Sequence, residues 1–285
     1  MGHLSWTSRP RLRRPALVAA FEGWNDAGDA ASFAARYLAK QWDAELFAEL
    51  DPEDFYDFTE TRPRVILDDD LNRQIIWPAN EFYAATLLGR DHDLIVLVGT
   101  EPQLRWKTFS RQIVELATSL DARMVVTLGA LLAEVAHSRP VSVVGTTSDP
   151  DIAADLGLRP SSYQGPTGIV GVLHDECRLA GLSSASLWAA VPAYVPSSPS
   201  PKAALALVER CSALLSLAVD TKELETATSS YERQVSELVD ADEETAAYVA
   251  DLEQRTDDDP STGLADGSAL IEEVERFLRR QSPGD

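Results

Sequence analysis

Short runs of Val, Ile, Leu and Ala that are apolar on both faces recur along the first 220 residues, and segments of helical periodicity separate them. This alternation constrains the fold more than any other feature of the chain. Ala16–Glu22, Ile95–Gly99, Arg123–Gly129, Val141–Thr146 and Ser186–Val191 read as strands covered on both sides. Between them, Asp26–Lys40 gathers Ala27, Ala30, Ala31, Ala34, Tyr37 and Leu38 on one side, a small-residue face for close packing. Arg105–Leu120 spaces Trp106, Phe109, Ile113, Leu116 and Leu120 by three and four, and Thr167–Ala180 and Pro201–Val219 follow the same rule. Ser200 and Pro201 supply an N-cap and a first helical residue. Strand and helix in turn predict an α/β protein, a three-layer α/β/α sandwich. The aromatic, acidic stretch Leu46–Glu81 breaks the pattern and reads as an antiparallel excursion or edge hairpin, with strands at Arg64–Leu67 and Gln74–Trp77.

Beyond residue 220 the period changes. Leu224, Thr228, Tyr231, Val235, Leu238, Asp242, Thr245, Val249 and Leu252 step by four and three, a heptad seam. Asp240-Ala-Asp-Glu-Glu244 interrupts it with cap residues, so a hairpin of two helices is expected rather than one rod. Thr256–Gly267 reads as a linker, and Ile271, Val274, Phe277 and Leu278 as a short last amphipathic helix. The net charge of −21 is unevenly placed. Residues 220–285 hold 19 acidic and 6 basic side chains, whereas residues 1–14 hold Arg9, Arg11, Arg13 and Arg14 and no acid. The chain thus divides into a flexible N-terminal arm at 1–14, an α/β/α core at 15–219 and an acidic helical extension at 220–285.

So acidic a chain offers no electrostatic footprint for a phosphate backbone and is repelled by anionic bilayers; nucleic acid and membrane are not expected partners. No apolar run is long enough to span a bilayer, and Pro15–Phe21 is too short and too closely followed by Glu22 and Asp26 for a signal peptide. A cytoplasmic location is expected. Cys177 and Cys211, the only cysteines, each fall on the apolar face of a helix and read as core residues. With four scattered histidines and no cysteine pair, no metal site and no cofactor are expected.

Candidate binding chemistry sits where strands end. Trp24, Asn25, Asp26 and Asp29 follow the first strand, where α/β folds place ligands, although the same residues serve equally as an N-cap with helix-dipole acids. Glu101 and Arg105 flank another strand end as an ion pair beside Trp106, which also suits subunit packing. His137 and Arg139 link a helix to a strand; His137 is an acid–base candidate with no partner identifiable from spacing. Tyr163 precedes Gly165-Pro-Thr-Gly-Ile169, where Thr167 is a cap candidate for a helix whose free N–H groups would hold an anion. Gly165 and Gly168 frame a turn that lacks the lysine of a Walker loop and the spacing of a dinucleotide loop. No nucleophile elbow, zincin motif or carboxylate pair is present, so the residues alone define no catalytic group.

Five of these segments occur together and in order: Phe21-Glu-Gly-Trp-Asn-Asp-Ala-Gly28, Gly99-Thr-Glu-Pro-Gln-Leu-Arg-Trp106, His137-Ser-Arg-Pro140, Tyr163-Gln-Gly-Pro-Thr-Gly-Ile169 and Ser186-Leu-Trp-Ala-Ala-Val-Pro-Ala-Tyr194. In this set the chain resembles the actinobacterial branch of the proteasome assembly chaperone family, second-subunit type, over residues 15–219. The resemblance implies a fold like that of the phosphorylases and hydrolases that act on purine nucleosides, a homo-oligomer with three copies as the best guess, and proteasome α-subunits as partners. It implies a non-enzymatic assembly or scaffolding role, and it brings no catalytic residues to carry over. The end of the chain, Gln281-Ser-Pro-Gly-Asp285, departs from the hydrophobic–Tyr–any tail with which chaperone relatives dock on proteasome rings. The alternative is an enzyme or binder acting on a nucleoside-like or nucleotide-like small molecule. An ATP-grasp-like ligase is the weaker form of it, since four lysines, none beside a glycine loop, supply nucleotide phosphates poorly.

Overall fold

In the computed structural model the described residues are 3–68, 71–147, 149, 152–154, 158–160 and 167–254. Four strands form the parallel centre of the sheet: β2 (Ala16–Glu22), β7 (Leu94–Thr100), β8 (Met124–Ala133) and β11 (Ser184–Pro192). Outside them lie β1 (Leu4–Trp6), β3 (Glu45–Leu50), β6 (Asn80–Ala85), β9 (Val143–Thr147) and β10 (Arg159–Pro160). The nine-stranded order is β1-β3-β6-β7-β2-β8-β11-β9-β10, and antiparallel pairing begins at β6 on one side and at β9 on the other. The remaining pair, β4 (Arg64–Leu67) and β5 (Arg73–Ile76), forms an antiparallel ribbon of its own. The five runs predicted as strands fall on β2, β7, β8 and β11 and, just outside the parallel centre, on β9.

Helices cover both faces. On one, Ala16, Val18 and Ala20 of β2 pack in a core with α1 (Ala30–Gln41) and α4 (Pro201–Leu215). On the other, Leu17, Ala19 and Phe21 pack with α2 (Trp106–Ser119) and α3 (Ile169–Leu179). Alternate residues of one strand thus feed two cores, which is why β2 reads as continuously apolar. Cys211 sits in the first core and Cys177 in the second, both without exposed surface, and burial pushes both thiols up to about 12. They are packing residues, as expected.

Two expectations are corrected. Residues 1–14 are not a loose arm among the described residues: Leu4–Trp6 pairs with Leu50–Ala48 as an edge strand. Arg13 donates to Asp93 from Nη2 (2.6 Å), Nε (3.2 Å) and its backbone N (2.7 Å). Burial pushes the Asp93 carboxyl up, but the Arg13 hydrogen bonds outweigh it and hold the group below the usual carboxylate range. The segment expected to be one excursion is also more than a hairpin, because its flanks, β3 and β6, join the main sheet.

The C-terminal hairpin forms as α5 (Lys222–Asp240) and α6 (Glu243–Gln254). Its apolar line runs through Leu224, Tyr231, Val235 and Val239, while Leu238 is 60% exposed. A straight helix at 3.6 residues per turn drifts off a strict heptad, so the step from Val235 falls on position 239 rather than 238. The linker and last helix expected beyond residue 255, like Tyr163 and Gly165, lie outside the described residues.

His174 of α3 fastens that helix to the sheet, with Nδ1 2.8 Å from the Ser184 hydroxyl and Nε2 2.9 Å from that of Thr127. Burial lowers its pKa to about 4. An unfolded imidazole protonates near 6.5, so the neutral ring contributes fully above that pH. As pH falls the contribution is lost, by about 3 kcal/mol at pH 4. His174→Gln is expected to flatten the fall in urea midpoint between pH 6.5 and 4; a fall of wild-type size in the variant would refute this.

Candidate functional site

The candidate residues gather in two places at the same end of the parallel strands. The first lies where β2 and β7 stop. Gly23 takes φ +118° and turns the chain out of β2, and the Glu101 N–H donates to the Glu22 carbonyl at 2.9 Å, tying the two strand ends together. From there the Glu101 side chain reaches the start of α3. Its Oε1 accepts from the Ile169 N–H at 3.0 Å and from Asn25 Nδ2 at 3.1 Å, and the Trp24 backbone also donates to the carboxylate. Gly168 lies directly against this group: a Cβ there would stand 3.0 Å from Asn25 Nδ2, Glu101 Oε1 and Trp24 Cε3.

The helix start expected to hold an anion therefore holds one already, the chain's own Glu101. Thr167 does not cap α3. Gly168 is the N-cap and offers no side chain, so the cap arrives from a strand 68 residues earlier. Burial pushes the Glu101 carboxyl up, against the three donors that pull it down.

Asp26 does the same for α1. Its Oδ1 accepts from the Ala31 N–H (2.7 Å) and the Ser32 N–H (3.1 Å) across the short 3₁₀ turn Ala27–Asp29. The opposite oxygen, Oδ2, is buried with no hydrogen-bond partner, and burial raises this carboxyl too. Asp26 thus caps α1 through its side chain, from outside the N-cap position that Asp29 holds. Gly28 (φ +59°) and Asp29 (φ +51°) take left-handed conformations, and the Gly28 carbonyl accepts from the Ser200 N–H at 2.7 Å. Gly28 has room for no side chain, since a Cβ would meet Ser200 Cβ at 3.0 Å. A cavity of about 330 Å³ lies beside this turn, between residues 23–29 and Pro196–Pro199.

The ion pair expected between Glu101 and Arg105 does not form. Arg105, at φ +53°, turns outward and pairs with Asp54 at 3.0 Å, while Trp106 Nε1 donates to the Pro102 carbonyl at 2.6 Å. Glu101 is committed to α3, and the left-handed turn at Arg105 points its side chain to the surface.

The second place is the loop after β8, under the hairpin. The His137 N–H donates to the Tyr194 hydroxyl at 2.7 Å, and its Nδ1 lies 2.8 Å from the same oxygen. His137 Nε2 lies 2.9 Å from Ser236 Oγ, which itself donates to the Glu232 carbonyl. One neutral tautomer satisfies all of this: Tyr194 O–H donates to Nδ1, and Nε2–H donates to Ser236. Burial first, then the Lys202 charge, hold the His137 pKa below its usual value, as that arrangement requires. Ser138 donates to the Glu253 carboxylate and Arg139 to the Glu253 carbonyl, so the same loop grips both helices of the hairpin. Lys202 completes the group, donating to the His137 carbonyl at 2.5 Å and pairing with Glu232 at 2.6 Å. Sequence reasoning did not single it out; the available signal was a lysine in the first turn of a helix, where the dipole disfavours it. His137 has partners after all, and they hold structure rather than activate a nucleophile.

Among the described residues no group of three or more His, Cys, Asp and Glu is placed to hold a metal ion. The polar residues at the strand ends fasten loops and helix starts, and the class so defined is an α/β scaffold with a docked helical hairpin. A model of the PAC2 family matches residues 20–239, and the chain belongs to that family. It is 46% identical to a PAC2 family protein of Streptomyces avermitilis, whose structure it matches with a TM-score of 0.77 over 82% of this chain and 99% of that one. A proteasome-assembly chaperone homologue of Mycobacterium tuberculosis is 40% identical, with a TM-score of 0.75 over 82% and 99% of the two chains. A second M. tuberculosis protein, of unknown function, is 28% identical with a TM-score of 0.83 over 98% and 96%. No curated protein matches.

Proposed function

We propose that the protein is a non-enzymatic assembly factor of the proteasome-assembly-chaperone type, which works in the cytoplasm as a homo-oligomer, three copies being the expected number. The observation that carries the reading is the use made of the candidate residues. Glu101, Asp26 and His137, the groups best suited to chemistry, are spent on capping α3, capping α1 and seating the hairpin. The 40% identity to a proteasome-assembly chaperone homologue supports the same reading. Against the nucleotide alternative, the helix start that would have held a phosphate is filled by Glu101. The phosphorylase- and hydrolase-like fold that the sequence resemblance implies would then concern layering alone. Trp24, Asn25, Asp29 and Gly168 shape one end of the sheet, and the acidic hairpin at 222–254 adds a face suited to a basic or mixed-charge partner.

The test is direct. Mixed with proteasome α-subunits from the same organism, the purified protein is expected to co-elute with them and to change the rate at which their rings assemble. Separate elution together with an unchanged assembly rate would refute the reading.

A further inference from the structure

The candidate site occupies the carboxyl ends of the parallel strands, and the opposite rim of the sheet gathers arginines. Ala16 of β2 pairs with both Leu94 of β7 and Met124 of β8, so the residues just before these three strands meet on one rim. Arg14, Arg90 and Arg123 are exposed there. Arg13 binds the rim together, with Nη1 donating to the Arg90 carbonyl at 2.9 Å and Nη2 to the Leu87 carbonyl at 2.7 Å. The Arg123 N–H donates to the Pro15 carbonyl at 2.8 Å. The chain reaches this rim from β1 as a strap, pinned where the Thr7 N–H donates to the Phe47 carbonyl and the Asp93 N–H to the Arg13 carbonyl. Along the strap Pro10 and Leu12 are half-buried, Leu12 against the core on the α2 side, while Arg9 and Arg11 are exposed. Fixed backbone thus holds these cations outward. The nearby acids leave several of them unmatched. Asp93 is taken by Arg13, and Asp91 lies 2.9 Å from His92 Nδ1 and feels the Arg123 charge. Asp121 stands in the turn before β8, and Asp43 and Glu45 stand at the start of β3, three strands from β2. Even so, Arg11, Arg14 and Arg90 make no ion pair and no side-chain hydrogen bond among the described residues, in a chain with 46 acidic and 25 basic side chains.

We propose that this rim is a docking surface for an acidic, extended peptide segment of a partner protein. The proposal goes beyond the assembly reading and stands without it. Guanidinium forks suit carboxylates and phosphates alike, so the choice of ligand rests on how the cations are placed. They are spread out. Arg90 and Arg123 precede β7 and β8, which flank β2, so they stand two strand spacings apart, roughly 10 Å. No single small anion reaches both, whereas alternate residues of an extended peptide are spaced by roughly 7 Å and reach them in turn. The ligand must also be short of charge. A nucleic acid would carry its dense phosphates past the rim and over a body of net charge −21, which repels them, while a peptide places a few carboxylates only where the arginines are. An apolar contact lies ready as well. Leu88 is 93% exposed in the turn that the Arg90 N–H closes on the Leu87 carbonyl, a surface that peptide side chains use and a phosphate backbone does not.

The test is fluorescence anisotropy at low salt with the full chain and three labelled probes: a short peptide of alternating Glu and Ser, its Gln and Ser counterpart, and a single-stranded DNA of similar length. Wild type is expected to bind the Glu peptide roughly tenfold or more tighter than the Gln peptide, and to lose that preference when salt screens the charges. The triple variant Arg11→Glu/Arg14→Glu/Arg90→Glu is expected to weaken Glu-peptide binding roughly tenfold or more. Arg233→Glu, an exposed position on α5, is expected to leave it unchanged. Should the triple variant lose the wild-type circular dichroism spectrum, the Arg→Gln version removes the same cations without adding acids and is expected to weaken binding roughly threefold or more. Equal binding of the Glu and Gln peptides by wild type would overturn the proposal, as would a triple variant that binds like wild type. DNA bound more tightly than the Glu peptide would overturn the choice of a peptide. Light scattering on the same samples closes the remaining route: a triple variant of lower solution mass than wild type would show that a second copy covers this rim and would overturn docking to a partner protein.

Discussion

Glu101→Ala is expected to lower the thermal midpoint by about 10 °C, the largest effect of any single substitution at the candidate site. The carboxylate accepts from the Ile169 N–H, Asn25 Nδ2 and the Trp24 backbone, and no other side chain stands ready to take them. A partly buried donor left without an acceptor costs about 1–3 kcal/mol. With three affected, and with relief from burying the carboxylate offsetting part, a net loss of about 3–4 kcal/mol is reasonable. In a chain of this size each kcal/mol moves the midpoint by about 2–4 °C. Differential scanning calorimetry reads the shift, and a change under 3 °C would show that the strand-to-helix cap is not what holds α3.

Glu101→Gln separates the hydrogen bonds from the charge. The amide oxygen keeps the acceptor, so most of the stability should return. The pH profile, however, should change. Burial raises the Glu101 carboxyl, so the folded chain holds that proton to higher pH than the unfolded one. Its contribution is full below the unfolded pKa, near 4.3, and is lost as pH rises through the folded value. The amide has no such loss, and the variant should gain on wild type between pH 4 and 7. Asp26, raised for the same reason, keeps its own slope in both proteins.

The central sheet was legible because a strand buried on both faces must be apolar throughout, and Ala16–Glu22 or Leu94–Thr100 can be little else. β3 was not, because the register shift between Leu46 and Ala48 buries Phe47 and Ala48 in succession and erases the alternation that marks a strand. The candidate positions were legible as strand ends, but their chemistry was not. Glu101 meets Asn25 across 76 residues and Ile169 across 68, so no local spacing pairs them. Arg105 shows the converse: the nearest carboxylate in sequence proved the wrong partner once the backbone turned left-handed there. For the ribbon, periodicity located the strands, but only the fold could show that neither face is covered.

Lys202→Met should free the C-terminal hairpin while leaving the body folded. Lys202 is 9% exposed and joins three elements: its own helix, the His137 carbonyl and Glu232 of α5. Methionine keeps much of the volume but leaves that carbonyl without its donor and Glu232 without its cation. Leaving that carbonyl without its donor and loosening a partly exposed pair costs about 2 kcal/mol, or roughly 30-fold faster amide exchange in a segment that opens locally. The rise is expected across residues 222–254 and not in β2, β7 or β8. Exchange that is unchanged in the hairpin, or faster everywhere, would refute the docking role. The His137 ring provides a second readout. Lys202 helps hold its pKa down, so the variant's imidazole should titrate closer to 6.5. The neutral ring contributes stability above the unfolded pKa and loses it as pH falls, so a smaller depression means a smaller acid penalty. The variant hairpin should therefore be looser at neutral pH and less sensitive to further acidification, a crossing of the two profiles that lost packing alone would not produce.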